Sequence, residues 1–415
     1  MNPAFNLRDG VLHAEAVDLR EVAAQFGTPA YVYSKRAIET NYRAYRDAFA
    51  RIQPLVCYAV KANSNLSILA LLAREGAGFD IVSGGELLRV LAAGGDPSRV
   101  IFSGVGKRED EIELALAHGI ACFNVESEPE LDRINTVALR RGQHAPISFR
   151  INPDVDPKTH PYISTGLKSN KFGVAWHDAE RLYRRAAAMP GIRIRGIECH
   201  IGSQITELSP YVDAMERLLD LVDRLKAADI HLEHIDIGGG RGISYNGESL
   251  APMSVFADAL IGLLGARPHR LLLEPGRSIA GDAGLLLTRV EFIKRGETKN
   301  FAIVDAAMND LIRPTLYGAH HRVLPVVPRE GEAVVCDVVG PVCESGDWLA
   351  RERSLVLAEG DLLAILDAGA YAMTMASNYN TRMRPAEVLV DGDCVHLIRE
   401  RERFEDLIAH ERIVG

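Results

Sequence analysis

In the stretch Tyr58-Ala59-Val60-Lys61-Ala62-Asn63 a single lysine ends an apolar run, and Ser64 and Asn65 follow as turn and helix cap ahead of Leu66. An amine at the carboxyl end of a buried strand is a candidate nucleophile, although a lone lysine there is most often a solvated surface residue. Its meaning depends on what joins it. Farther along, Asp80, Ser83, Glu126, Arg150, Asn152, His200, Ser203, Glu274 and Arg277 also stand at the ends of apolar runs, as do the glycines 238–240 and Gly276. Polar groups on apolar strands cost stability unless they are paired or used.

One chemistry would use all of them together: a lysine that forms an imine with pyridoxal 5'-phosphate, the amine acting as nucleophile and the cofactor as electron sink. The phosphate needs backbone donors and a hydroxyl, which Gly238, Gly239, Gly240, Gly276, Arg277 and Ser203 offer. The pyridine nitrogen needs a carboxylate to keep it protonated; Glu274 is the first candidate and Asp80 the second. His200 is suited to lie against the ring face. Taken singly, Glu274 with Arg277 also fits a structural ion pair, and His200 a hydrogen-bonded core histidine.

Residues so far apart need a fold that gathers strand ends. Apolar strand candidates at 55–61, 78–83, 99–103, 122–126, 146–152, 194–201, 234–238 and 270–274 alternate with amphipathic helical stretches at 66–75, 85–93, 109–118, 127–140, 178–188, 210–227 and 252–264, after a first helix at 35–51. Eight strands alternating with helices imply an α/β fold, a (β/α)8 TIM-type barrel whose strand ends share one mouth. The rival is an open doubly wound sheet binding a dinucleotide. It fails at Gly238-Gly239-Gly240-Arg241-Gly242-Ile243, where Ile243 takes the third glycine position, and residues 104–108 do not make a Walker loop. From about residue 284 the pattern turns to strands without long helices, at 285–294, 301–305, 333–339, 362–366, 387–390 and 395–399, with Asp391-Gly392 as a hairpin signal. The expected organisation is a cofactor-binding barrel over 28–280 and a second, mainly antiparallel β domain made from 1–27 and 281–415. Residues 31–33 read as a strand, while 1–27 carry no pattern that assigns them.

Composition narrows the partners. A chain of 415 residues with 47% hydrophobic and 25% charged residues is an ordinary globular protein with room for two domains. A net charge of -9 opposes binding to nucleic acid or an anionic membrane, which leaves a small molecule as the expected ligand. No apolar run reaches spanning length, and residues 1–27 lack the parts of a signal peptide, so a cytoplasmic location is expected. The six cysteines lack C-x-x-C spacing, so neither a metal site nor a disulfide framework is expected.

The segments Tyr58-Ala59-Val60-Lys61-Ala62-Asn63, Phe79-Asp80-Ile81-Val82-Ser83-Gly84-Gly85-Glu86, Lys171-Phe172-Gly173, Cys199-His200-Ile201-Gly202-Ser203-Gln204, Asp236-Ile237-Gly238-Gly239-Gly240 and Glu274-Pro275-Gly276-Arg277 resemble, in this order, the alanine-racemase-like barrel decarboxylases that use pyridoxal phosphate. The later segments Arg313-Pro314-Thr315-Leu316-Tyr317-Gly318-Ala319-His320-His321, Gly340-Pro341-Val342-Cys343-Glu344-Ser345-Gly346-Asp347 and Gly369-Ala370-Tyr371-Ala372-Met373 are similar to the diaminopimelate decarboxylase branch. The resemblance implies that Lys61 carries the cofactor, that Asp80, His200, Ser203, Gly239, Gly240, Glu274, Pro275, Gly276, Arg277 and Tyr371 bind it, and that Arg277, Arg313, Tyr317, Glu344 and Tyr371 touch the substrate. It further implies decarboxylation of meso-2,6-diaminopimelate to L-lysine, with Lys61, His200 and Cys343 as catalytic residues and Cys343 as proton donor. A homodimer with sites shared across its interface is the implied assembly. Arg241 departs from the pattern, where an apolar residue is expected after the glycines. An ornithine or arginine decarboxylase of the same fold, a racemase and a silent cofactor-binding regulator are the alternatives. A silent homologue should have lost Lys61 or Cys343, and a diamine-forming enzyme has no distal carboxylate for Arg313.

Overall fold

The structure is a computed structural model that describes residues 2–155 and 171–415. The chain divides into two compact units: Asn41–Ile243 with Ser249–Ser278, and Met1–Thr40 with Ser244–Glu248 and Ile279–Gly415.

The first unit is the expected barrel. Its strands are β1 (Leu55–Ala59), β2 (Gly78–Ile81), β3 (Val100–Phe102), β4 (Cys122–Val125), β5 (Ala145–Asn152), β6 (Ile192–Glu198), β7 (His234–Asp236) and β8 (Arg270–Leu273). Each pairs in parallel with the next, and β8 closes on β1 through Leu272 opposite Leu55. Side chains of Leu55, Cys57, Ile101, Cys122 and Leu272 fill the middle of the barrel as one buried apolar cluster. Above them, toward the carboxyl ends, the interior turns polar: Asp80, Asn124, Ser148, Glu198, Asp236 and Glu274 are all buried. Alternation along each strand explains both layers, since every second residue points inward.

The sequence pattern extends most strands too far at their carboxyl ends. Lys61 is not the last residue of β1 but lies in a 3₁₀ turn, Val60–Ala62, that follows it. Residues beyond the strands leave the ladder because their side chains cap what comes next. Asn65 accepts from the Ser67 N–H at 2.9 Å, Ser83 from that of Glu86 at 3.2 Å and Ser127 from that of Glu130 at 3.3 Å, each starting a helix on the outer ring.

The second unit is built on the long strand Gly284–Lys294, which pairs antiparallel with Ala30–Ser34, Asn300–Val304 and Leu362–Ile365. Strand Ala30–Ser34, placed with the barrel in the expected span 28–280, therefore belongs to this sheet. Ala386–Asp391 joins it in parallel and returns as Cys394–Arg399 through the expected turn, with Gly392 at φ 64°. Asn300–Val304 and Val334–Val339 form a second parallel contact in an otherwise antiparallel sheet. Strands Val323–Pro325 and Trp348–Leu355 have no counterpart in the sequence pattern. Nor does the three-stranded meander Phe5–Arg8, Val11–Ala14 and Val17–Asp18, whose Phe5, Leu12 and Val17 pack with Val32, Leu285 and Val388. Strands of two to four residues are too short to display a period of two. Among the described residues no helix is long and apolar enough to cross a membrane.

A second barrel lysine gives a measure of what full pairing looks like. Lys107, 2% exposed, donates to Gly104 O at 2.8 Å, Asn124 O at 2.6 Å and Glu130 Oε1 at 2.8 Å, filling all three of its donor directions. Its role is structural. Lys107→Ala should leave the Glu130 charge buried and lower unfolding stability by about 3–5 kcal/mol in denaturant titration; a loss below about 1 kcal/mol would show that the pair is not a fixed element of the barrel.

Candidate active site

Lys61 Nζ lies 2.5 Å from Asp80 Oδ2, with about a third of the lysine side chain still exposed and Asp80 fully buried. Asp80 Oδ1 has no hydrogen-bond partner among the described residues. The carboxylate is thus committed to the amine on one side and unfilled on the other. The Lys61 turn is tied to the far end of the barrel seam by Ala59 N–H donating to Pro275 O at 3.1 Å. Lysine, aspartate and the Glu274-Pro275-Gly276-Arg277 loop are thereby held as one assembly.

Behind this pair lies a concentration of buried acids. Burial pushes Glu274 well above the usual carboxylate range, reinforced by Asp236, Asp80 and Glu198, while Lys61 pulls the other way. Asp236, fully buried, is pushed up to about 7 for the same reason, although Gly238 N–H donates to its Oδ1 at 2.8 Å. Glu198 is raised well above its ordinary value by burial, against the pull of Arg150. Arg150 is the counter-ion of this layer: it is 3.2 Å from Glu126 Oε1 and 3.7 Å from Glu198 Oε2, and it donates to His200 O at 3.3 Å. Asp236 and Glu198 belong to this buried acid layer, and sequence reasoning missed them. The available signal was their placement, Glu198 two residues before His200 and Asp236 two before Gly238, because an acid inside an apolar strand has to be paired or protonated.

The glycines form a backbone cradle. A Cβ on Gly239 would sit 2.1 Å from Glu274 O, and one on Gly240 2.2 Å from Gly202 O, so no side chain fits at either position. Gly238 and Gly240 also have φ of 67° and 96°. Gly239 N–H donates to His200 Nδ1 at 3.1 Å, which makes that nitrogen an acceptor and puts the imidazole proton on Nε2. Burial, with Arg150 and Lys61 nearby, holds His200 well below its ordinary pKa, so the ring is neutral. Arg277 Nη2 donates to Ser203 Oγ at 2.9 Å. Glu274 and Arg277 thus face different partners and are not a structural ion pair. Arg241, unexpected after the glycines, stacks 5.1 Å from the Phe256 ring centroid and donates to Ala251 O at 2.5 Å, so its aliphatic and planar parts do the packing expected of an apolar residue. Of the other strand-end residues, Ser83 is a helix cap, and Asn152 Oδ1 accepts from Asp154 N–H at 3.0 Å.

In the second unit, Arg313 is buried at the start of the short helix Arg313–Tyr317. Its guanidinium lies 5.3 Å from the Tyr245 ring centroid and 5.9 Å from that of Tyr317, and its Nε donates to His321 Nε2 at 3.4 Å. His321 Nδ1 meets Leu366 O at 2.9 Å, which fixes the tautomer that accepts from arginine. Tyr245 and His321 are positioning groups that sequence reasoning also missed. Cys343 and Glu344 are exposed on a loop folded around Asp347, whose carboxylate accepts from Met308 N–H at 2.6 Å and Val342 N–H at 2.7 Å. Asn380 Nδ2 is 3.5 Å from Cys343 Sγ, and Tyr379 OH donates to Glu344. Tyr371 has φ 53°, a backbone conformation costly for an aromatic residue and characteristic of functional positions.

Comparison with known proteins agrees with this chemistry. Residues 35–281 match the family model described as pyridoxal-dependent decarboxylase, pyridoxal binding domain. The chain is 58% identical over 400 residues to the diaminopimelate decarboxylase of Neisseria meningitidis serogroup A, covering 96% of this chain and 98% of that protein. The crystal structure of diaminopimelate decarboxylase from M. jannaschii superposes with a TM-score of 0.95 at 40% identity, covering 100% of this chain and 98% of the other. The Helicobacter pylori enzyme, complexed with L-lysine, gives 0.92 at 43% identity over 94% and 98% of the two chains.

The raised carboxyl of Asp236 sets a pH dependence. Its folded-state pKa of about 7 exceeds the ordinary 3.8, so the folded protein holds a proton that the unfolded chain releases between those values. Stability from this group is present at low pH and is lost as pH rises toward 7. Asp236→Asn keeps the acceptor for Gly238 and removes the titration. In denaturation measured from pH 4 to pH 8, the variant should gain on wild type as pH rises to about 7 and run parallel above it; a constant difference across the range would mean that Asp236 does not hold the proton.

Proposed function

Since the chain belongs to the pyridoxal-dependent decarboxylases and, within them, to the diaminopimelate decarboxylases, we propose that it removes carbon dioxide from meso-2,6-diaminopimelate to give L-lysine, using pyridoxal 5'-phosphate held by Lys61. The observation that carries the reading is the Lys61–Asp80 pair in a barrel mouth whose loop residues Gly239 and Gly240 leave no room for a Cβ. Bound there, the cofactor supplies an electron sink for the pair left behind when the carboxylate departs.

The residues fit that group. Gly240, Gly276, Arg277 and Ser203 offer backbone and hydroxyl donors for a phosphate, with Gly239 beside them giving its own N–H to His200, and the Arg277–Ser203 contact at 2.9 Å holds the hydroxyl in place. Asp80 is engaged with the amine, which leaves Glu274 for the pyridine nitrogen. Burial among other acids disfavours the Glu274 anion on its own, so a cation delivered to it has a strong partner. His200, neutral and anchored through Nδ1, presents a flat uncharged ring suited to stacking. Lys61 would hold the cofactor through Nζ, and Asp80 beside it would take up and return the proton at that atom. Arg313 is suited to the substrate's distal carboxylate, oriented by His321 and by the faces of Tyr245 and Tyr317, with Tyr317, Glu344 and Tyr371 as further substrate contacts.

Borohydride reduction of the purified protein should fix the cofactor covalently on Lys61, and Lys61→Ala should abolish both the adduct and carbon dioxide release from diaminopimelate. Release from ornithine, arginine or lysine should be far slower. An adduct on another lysine would sink the assignment of the site, and preference for ornithine would replace the substrate.

The proposed assembly is a homodimer in which Cys343 of one copy serves the Lys61 site of the other as proton donor. In support, Cys343 and Glu344 are exposed and yet held by side-chain partners rather than left to solvent. Inactive Lys61→Ala and Cys343→Ala proteins, mixed equally and co-refolded, should then recover about a quarter of wild-type activity, because about half the dimers are mixed and each has one intact site. If demonstrated heterodimers stayed inactive, the two groups would belong to one copy.

A further inference from the structure

The amino-terminal mouth of the barrel, opposite the end that carries Lys61, holds a second polar site. Arg99, Arg195, His234 and Arg270 gather there with Glu233 around a cavity of about 170 Å³ whose inner wall includes Leu272. Three guanidiniums face one carboxylate, and that carboxylate is already shared: Glu233 is 2.7 Å from Arg195 and 3.0 Å from Arg193. Arg99 and Arg270 have no ion pair or side-chain hydrogen bond among the described residues. Arg99 and Arg270 set two like charges on one cavity, and burial with Arg99 nearby lowers the Arg270 guanidinium's pKa. His234 lines the same cavity: it is 7% exposed, and among the described residues its Nε2 has no hydrogen-bond partner. Space for its ring comes from Gly196 on the neighbouring strand, where a Cβ would lie 2.2 Å from Nε2. Gly196 and His234 stand directly opposite in the β6–β7 register, so the site is part of the barrel wall rather than of a loop.

We propose that this mouth binds a small oxyanion of the size and charge of inorganic phosphate, paired with Arg99 and Arg270 and hydrogen-bonded by His234 Nε2. Guanidinium forks match tetrahedral oxyanions in geometry, and the volume admits one such ion but not a nucleotide. Since this end of a barrel contributes to stability rather than to chemistry, the ion is a structural ligand that locks β7 and β8 at their starts.

The test is calorimetric titration of inorganic phosphate into the holoenzyme, whose cofactor already fills the upper phosphate site, with chloride holding ionic strength constant. One saturable site per chain is expected. Arg270 is exposed enough to be changed without disturbing the core, and Arg270→Gln should weaken binding about tenfold or more, the usual effect of losing one charged hydrogen-bond donor. Arg74→Gln, an exposed arginine on the helix Leu66–Arg74, makes the same change in net charge and should leave binding unchanged. The His234 imidazole resonances in the wild type should shift along the same binding curve. Absence of saturable binding, equal affinity in wild type and Arg270→Gln, or a His234 signal indifferent to phosphate would each overturn the proposal.

Discussion

The contact between Lys61 and Asp80 organises the upper half of the barrel. It sets one cation against a layer of buried acids that cannot all be ionised at once. Asp80 has the lysine, Glu126 and Glu198 share Arg150, and Asp236, Glu274 and, despite Arg150, Glu198 have raised pKa values in a desolvated interior. Such a layer costs folding stability, and buried acids of this kind are concentrated at functional sites. The contrast with Lys107 makes the point. That lysine is 2% exposed with three acceptors, whereas the Lys61 side chain, beside Asp80, remains about a third exposed.

Steric constraint does the rest of the positioning. Gly239 and Gly240 are packed against carbonyl oxygens so closely that backbone N–H groups, not side chains, must line the cradle. The same packing puts the Gly239 N–H on His200, which keeps that ring neutral and fixed. Tyr211 OH donates to Gly239 O at 3.1 Å from the long helix Ser209–Ala227, so the loop is braced from behind as well. Cradle, imidazole and acid layer are thus consequences of one close-packed seam between β6, β7 and β8.

The two ends of the barrel carry opposite electrostatic character along the same strands. Strand β7 begins at His234 among arginines and ends at Asp236 among carboxylates; β8 runs from Arg270 to the loop at Glu274. The apolar cluster of Leu55, Cys57, Ile101, Cys122 and Leu272 separates them.

The sequence by itself determined the eight-strand alternation, the second β unit and the residue types of the candidate site, because buried strands need continuous apolar runs and an ionisable residue at the end of such a run stands out. Lys61, Asp80, His200, Ser203, Glu274 and Arg277 were all legible on that basis, and family resemblance added Arg313, Tyr317, Cys343, Glu344 and Tyr371. Only tertiary structure decided that Asp80, not Glu274, takes the lysine, and that Asp236 and Glu198 join the acid layer. Those outcomes depend on desolvation and on distances between residues far apart in the chain, which no local pattern encodes. The short strands of residues 5–18 and the arginines of the lower mouth stayed hidden for related reasons. A four-residue strand shows no period, and an arginine in or just before a strand reads as solvated until the barrel closes and turns Arg99, Arg195 and Arg270 toward one cavity.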